Sequence, residues 1–433
     1  MRVQESKIKL IREALGISQM DFASIIYSDT SKVSKAENGL AQYAGTQVRF
    51  IKKHFGMEDL PLTQHECVVY KKRMYRFHDN IRDGWLEEAE KQYRDMAGIL
   101  VLDACDEDLP MLFRLFEVAL FVYGRKKLRE AEEMLDFLQA RLDKMTDEHK
   151  YHYYFYRGVV HTRRGRYDEG LECHKKALEL SHDLSILTQD DLKRVHLGIV
   201  ACYTFQDYPS RAIVYAQSAN TPALYTNRKV NTYDLHFDIE VALNYIRLNE
   251  IARAEELLDN CLIHAQSLDN DLYIGMTLHN YGRLHRQTED WDKAIDCFKQ
   301  AMEHSVMGAK PYLMAVHEMV FCLVGKRTYS NARRLLEDNE RLFLNDETYH
   351  IAYKALVDYI TISSRISLFN QPTDYIEEVA IPHFEKTCDY FMAMDYYKLL
   401  EKYFAEKNKK KSLLMSEAIR RIYERCFMNI EGR

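Results

Sequence analysis

Glycine and proline are scarce in this 433-residue chain, at 16 and 7 residues, well below the roughly 7% and 5% of ordinary proteins. That scarcity excludes turn-dense all-β folds and Pro/Gly-rich disorder, and it predicts an all-α protein. Basic charge is not in excess either. Lys+Arg number 60 against Asp+Glu 66, for a net charge of −6, so any nucleic-acid-binding surface must be local. No run approaches the roughly 18 apolar residues of a membrane span, and the N-terminus MRVQESKIKLIREALGISQ lacks the apolar stretch of a signal peptide. No membrane partner is expected. Nine cysteines are present, but no CxxC or other metal-ligand spacing, so they read as reduced, mostly buried thiols of a cytoplasmic protein. GxxxxGK[ST], HExxH and GxSxG are all missing, and His317-Glu318 lacks a second histidine. The expectation is therefore a protein that is not an enzyme, with no catalytic residue, no cofactor and no metal site.

What the chain does have is an internal repeat. A small residue followed four and seven positions later by apolar or small ones recurs at Ala89, Ala131, Gly170, Ala212, Ala254, Ala294 and Ala332, at separations of 42, 39, 42, 42, 40 and 38 residues. Twelve residues before four of these anchors stand Ala119, Gly158, Ala242 and Gly282, where one helix must approach its partner closely. The pattern resembles the tetratricopeptide repeat. Its best copy, from Gly275 to Ala309, carries Asn280, Tyr281, Gly282, Trp291, Ala294, Phe298 and Ala301 in register. Beyond Ala332 the register decays, with Ala355 and Ala418 as candidate anchors of degenerate units around the Gln371-Pro372 break. The last helix, with Lys409-Lys410-Lys411 and Arg420-Arg421, reads as a polar cap.

Residues 1–60 form a different unit. Arg12, Gly16, Ser18-Gln19, Phe22-Ala23, Ile26, Val33-Ser34-Lys35, Glu37 and Gly39 resemble the XRE/Cro-type helix-turn-helix. Tyr27 stands where that family has glycine, and the proline that commonly follows the Glu-x-Gly element is missing. Ser18 can cap a helix starting at Gln19, whose amide would face a phosphate. Asp29 or Thr30 would cap the recognition helix, leaving Thr30, Ser31, Lys32 and Lys35 exposed to read DNA while Val33 and Ala36 turn inward. Nine Lys/Arg against seven Asp/Glu through Leu60 leave a charge of only +2. Few phosphates can be neutralised by one copy, so a homodimer or a higher oligomer is expected on double-stranded DNA.

Together the two units resemble the peptide-sensing regulators of the Rgg, NprR, PlcR and PrgX kind, NprR most of all in architecture. The resemblance implies a helix-turn-helix domain over 1–60, a linker over 61–70, and a right-handed TPR-like α-solenoid over 71–433 with about nine repeats, the last two degenerate. It also implies a transcriptional regulator switched by a short signalling peptide in the concave groove. The groove stripe of the best repeat is Met276, His279, Asn280, Arg283 and Arg286. Asn280 can satisfy a donor and an acceptor of a peptide backbone together, and Arg283 and Arg286 suit a carboxylate. Arg163, Tyr203, Ile239, Asn244, His317 and Phe321 would form walls, with Asn244 slightly off the stripe. The alternative is a Rap-like interaction protein that sequesters a response regulator through residues 61–110 and uses the first sixty residues for assembly.

Overall fold

The protein is described from a computed structural model covering residues 8–9, 12–13, 15–38, 40–41, 43–56, 64–97, 108–219, 232–346, 349–365 and 372–427. Gly39, Cys105, Gln371 and the start of the expected linker lie outside them. Among the described residues every regular element is helical and there is no strand. None of these helices is long and apolar enough to cross a membrane. The chain forms two compact units, Met1–Tyr156 and Arg157–Arg433.

The first unit opens with α1 (Gln19–Ile25), α2 (Thr30–Glu37) and α3 (Gly45–His54). Ile8, Phe22, Ala23, Ile26, Val33, Ala36, Val48 and Ile51 form a core of their own, so periodic apolar residues bring α1 and α2 together as a helix-turn-helix. Tyr27, in the turn, adopts the left-handed conformation at φ 52. Its side chain is exposed, which lets it occupy a position that glycine fills at lower cost. Helices α4 (Gln64–Arg82), α5 (Leu86–Ala97), α6 (Asp108–Ala119), α7 (Leu128–Gln139) and α8 (Asp147–Arg163) follow.

The second unit continues with α9 (Tyr167–Ser181), α10 (Gln189–Phe205), α11 (Pro209–Ser218), α12 (Thr232–Arg247), α13 (Ile251–Ser267), α14 (Asp271–Gln287), α15 (Trp291–Glu303), α16 (Lys310–Gly325), α17 (Tyr329–Asp338), α18 (Glu340–Leu344) and α19 (Tyr349–Ser364). It ends with α20 (Ile381–Lys386), α21 (Tyr390–Phe404) and α22 (Lys409–Phe427). All seven anchors are buried, each on the second helix of a pair. The small residues on the first helices are there for the reason the spacing implies. A Cβ on Gly282 would lie 2.5 Å from the Phe298 ring, and one on Gly158 would lie 2.7 Å from His174. In each case the residue four after the anchor fills the space that the glycine leaves. These are TPR-like repeats.

A second signature accompanies the anchors and is invisible in residue type. Five positions before each one the backbone turns through positive φ, at Gly84, Lys126, Gly165, Asp207, Asn249, Glu289 and Arg327. The left-handed residue ends the first helix and aims the second. The same turn recurs at Cys388, five before the buried Ala393. The last pair is thus anchored by Ala393 on α21, and neither Ala355 nor Ala418 is preceded by such a turn.

Candidate functional site

Two surfaces carry the residues singled out by sequence. On the helix-turn-helix, Ser18 caps α1 by accepting the Asp21 amide at 3.1 Å. Thr30, Ser31, Lys32 and Lys35 are all exposed on α2, while Val33 and Ala36 are buried. Asp29 occupies the position before α2 but makes no capping hydrogen bond. Its carboxylate faces Lys32 Nζ at 3.3 Å instead.

Gln19 is turned inward. Its Nε2 donates to Glu37 Oε2 at 2.7 Å. Glu37 is fully buried and takes both Nε and Nη2 of Arg12, at 2.6 and 2.9 Å. Burial alone would raise the Glu37 pKa, but Arg12 and Gln19 hold it below the usual carboxylate range. The spacing places Arg12 and Glu37 in the motif; only the fold makes them a pair. The pair braces α2 against the helix-turn-helix core without using its exposed face.

On the second unit, the expected ligand residues are distributed unevenly. Arg283, Arg286, His317 and Phe321 converge around one buried carboxylate, Glu318. Arg283 Nε lies 3.0 Å and Arg286 Nη1 2.5 Å from Glu318, and Arg286 Nη2 lies 2.5 Å from Asp395 on α21. Burial by itself would push the Glu318 carboxyl up, yet the two guanidiniums hold it well below the ordinary range. His317 lies beside the Tyr396 hydroxyl at 3.4 Å and against Phe321, and burial lowers its pKa to about 4. Phe321 packs on Tyr359 and Tyr396 beneath the Arg286 guanidinium. His279 stacks edgewise on Phe298, and burial takes it down to about 3.

Asn280 and Asn244 have different surroundings. Asn280 is 5% exposed and donates Nδ2 to the Ile239 carbonyl at 3.3 Å. Asn244 is completely buried, donating to Thr204 Oγ1 at 2.7 Å and to the Glu240 carbonyl at 2.8 Å. It faces α10, the first helix of the preceding pair. Tyr203, on α10, stands apart from the Glu318 cluster and tilts towards Tyr215.

Glu318, Asp395 and Tyr396 were not anticipated. Glu318 had a signal, since the 38-residue step from Ala294 to Ala332 carries Asn280 onto it. Asp395 had none, because it lies 109 residues from its partner. Among the described residues no cluster of His, Cys, Asp and Glu could hold a metal ion.

A further carboxyl is perturbed on α12. Asp238 is 4% exposed, and burial, with the neighbouring Asp234 carboxylate, pushes it up to about 8. Unfolded, it titrates near 4, so between these values the native state holds a proton that the unfolded chain has lost. Stability from this group therefore falls as pH rises from about 4 to about 8. Asp238→Asn, neutral throughout, is expected to melt higher than wild type by a margin that widens over that interval. Thermal melts at pH 5, 6.5 and 8 check this, and a constant margin would refute it.

The tetratricopeptide-repeat family pattern matches residues 236–305, covering α13, α14, α15 and most of α12. The transcriptional activator NprA of Geobacillus stearothermophilus is 22% identical over 393 residues, 88% of this chain and 93% of its own. A Rap protein complexed with competence and sporulation factor is similar in structure with a TM-score of 0.67 at 16% identity, covering 82% of this chain and 98% of that one. NprR in complex with its cognate peptide NprX is similar with a TM-score of 0.62 at 18% identity, covering 82% and 99%.

Proposed function

Since the chain belongs to the TPR-like family of peptide-responsive regulators that includes NprA and NprR, we propose that it is a cytoplasmic transcription factor that binds promoter DNA as a homodimer. A short linear peptide in the concave groove switches it. The observation that carries this reading is the α2 face. Thr30, Ser31, Lys32 and Lys35 are presented to solvent by a helix whose opposite side is buried and braced by the Arg12–Glu37 pair. In this reading those four residues contact bases and phosphates, and Gln19 acts through Glu37.

On the groove side, Asn280 commits its Nδ2 to Ile239, and its Oδ1 remains an acceptor for a ligand amide. Arg283 and Arg286 already hold Glu318 and Asp395. A ligand carboxylate that uses them must compete with those side chains.

The test is binding to the intergenic DNA upstream of the gene, with and without synthetic peptides from short neighbouring reading frames. Lys32→Ala with Lys35→Ala is expected to weaken DNA binding and to reduce the slope of log K against log salt by up to about 2, near 0.9 for each phosphate that is no longer neutralised. Unchanged affinity and slope would remove α2 from the interface. A second reading, a Rap-like protein that sequesters a response regulator, is favoured by the apolar side chains Val68, Val69 and Trp85, all exposed on or between α4 and α5. DNA binding that disappears in the Lys32/Lys35 variant argues against it.

A further inference from the structure

The last repeat of the second unit folds back onto one that begins about 200 residues earlier, and the contact is made turn against turn. Asp207 is the left-handed residue between α10 and α11, and its counterpart before α21 is Cys388. The first amides of a helix have no acceptor within it. At α21, Asp389 accepts the Met392 amide, but the amides of Tyr390 and Phe391 both go to Asp207 Oδ2, at 2.6 and 3.3 Å. The other Asp207 oxygen faces Arg247 at 3.0 Å, and Arg247 also lies over the Phe391 ring.

The cap helix α22 completes the contact. Arg425 lies over both Tyr208 and Tyr390, with its guanidinium 4.3 and 4.4 Å from the ring centres, and it donates to the Gln206 carbonyl. Ser210 donates to the Cys426 carbonyl at 2.5 Å. These contacts are mostly polar and buried. Apolar burial holds a helix pair together whether or not a distant partner is present. The hydrogen-bonded and charged groups of such a contact trade more readily for water, which is itself a good partner for each of them.

We propose that this turn-to-turn contact is a reversible clasp, which opens while the helices on either side stay folded and so lets the concave surface of the second unit widen and close. Local openings of this kind occur at far lower free energy than global unfolding. Asp395, which holds Arg286, lies on the same helix about one turn beyond the clasp, and its contact would part with it. The clasp belongs to this unit's own geometry and does not depend on which ligand the groove takes. Its failure would leave the proposed function standing.

The test is hydrogen exchange followed by mass spectrometry on the full chain, read at the Tyr390 and Phe391 amides, together with alkylation of Cys426 by N-ethylmaleimide. Cys261, buried on α13, serves as the reporter of global unfolding. In wild type, both amides and Cys426 are expected to react at least tenfold faster than unfolding allows, as judged by Cys261. Asp207→Ala and Arg425→Ala should each speed them a further tenfold or more, with Cys261 unchanged. If the amides open only with global unfolding, or if Cys261 accelerates equally in both variants, there is no clasp. If Cys426 reacts quickly while the two amides stay protected, the end of α22 frays and the contact itself does not open.

Discussion

Glu318→Ala is expected to destabilise the second unit by about 3 kcal/mol, at the lower end of the roughly 3–5 kcal/mol seen when one member of a buried ion pair is removed. Among the described residues the carboxylate is the only acidic group that pairs with both Arg283 and Arg286. Without it, Arg283 is left without its ion-pair partner, and Arg286 keeps Asp395 alone. The lower figure applies because the two guanidiniums are about one-fifth exposed, at 20% and 21%, so water can relieve part of the cost. Urea denaturation measures it, and a loss below about 1 kcal/mol would mean that the cluster is solvated. The same carboxyl predicts acid sensitivity. Held below its unfolded value, it contributes stability in full above about pH 4.5 and loses it as pH falls further. Glu318→Gln, which cannot ionise, is expected to lose less stability than wild type between pH 5 and pH 3.

Glu37→Ala is expected to abolish the proposed DNA binding by a route that leaves the α2 surface residues in place. Glu37 accepts from Arg12 and Gln19 inside the helix-turn-helix core. Its removal leaves the buried Arg12 guanidinium with only the half-exposed Glu13 carboxylate at 3.3 Å and the Ile17 carbonyl at 2.7 Å, at about 3 kcal/mol, the lower end for a broken buried pair. A unit of this size has little stability to spare. The helix-turn-helix should unfold while the α9–α22 repeats retain their helical signal and their melting transition. Limited proteolysis checks it by releasing a fragment that lacks the first sixty residues. If Glu37→Ala binds DNA at wild-type affinity and resists cleavage, the pair is dispensable. Glu37→Gln separates charge from hydrogen bonding, since it keeps an acceptor for Gln19 while losing the ion pair.

The repeats were legible because their signal is local. A small residue every 38 to 42 positions, with apolar partners four and seven further on, constrains helices that are adjacent in sequence, and Gly282 against Phe298 meets that constraint as its spacing implied. The exposed face of α2 was legible for the same reason, since Val33 and Ala36 mark its buried side at helical period. The turns between paired helices were not. Asp207, Asn249, Glu289 and Arg327 take a left-handed conformation that the sequence signals clearly only where it is glycine, as at Gly84 and Gly165. Ala393 escaped the alanine series for the same reason, because it is identified by the turn at Cys388 and not by its spacing from its neighbours.

The sequence by itself determined that this protein is helical, that its helices pair in a repeating array behind a helix-turn-helix, and that the seven small anchors of the array are buried. All of these follow from periods of a few residues and from contacts between neighbours in the chain. The tertiary structure alone decided the fate of the charged side chains. Gln19 turned inward to Glu37, Arg286 went to Glu318 and Asp395, and Asp207 became the cap of a helix 183 residues away. A helix pattern states that an arginine lies on a given face. The carboxylate that meets it there depends on how several small rotations between successive repeats add up, and no local spacing contains that sum.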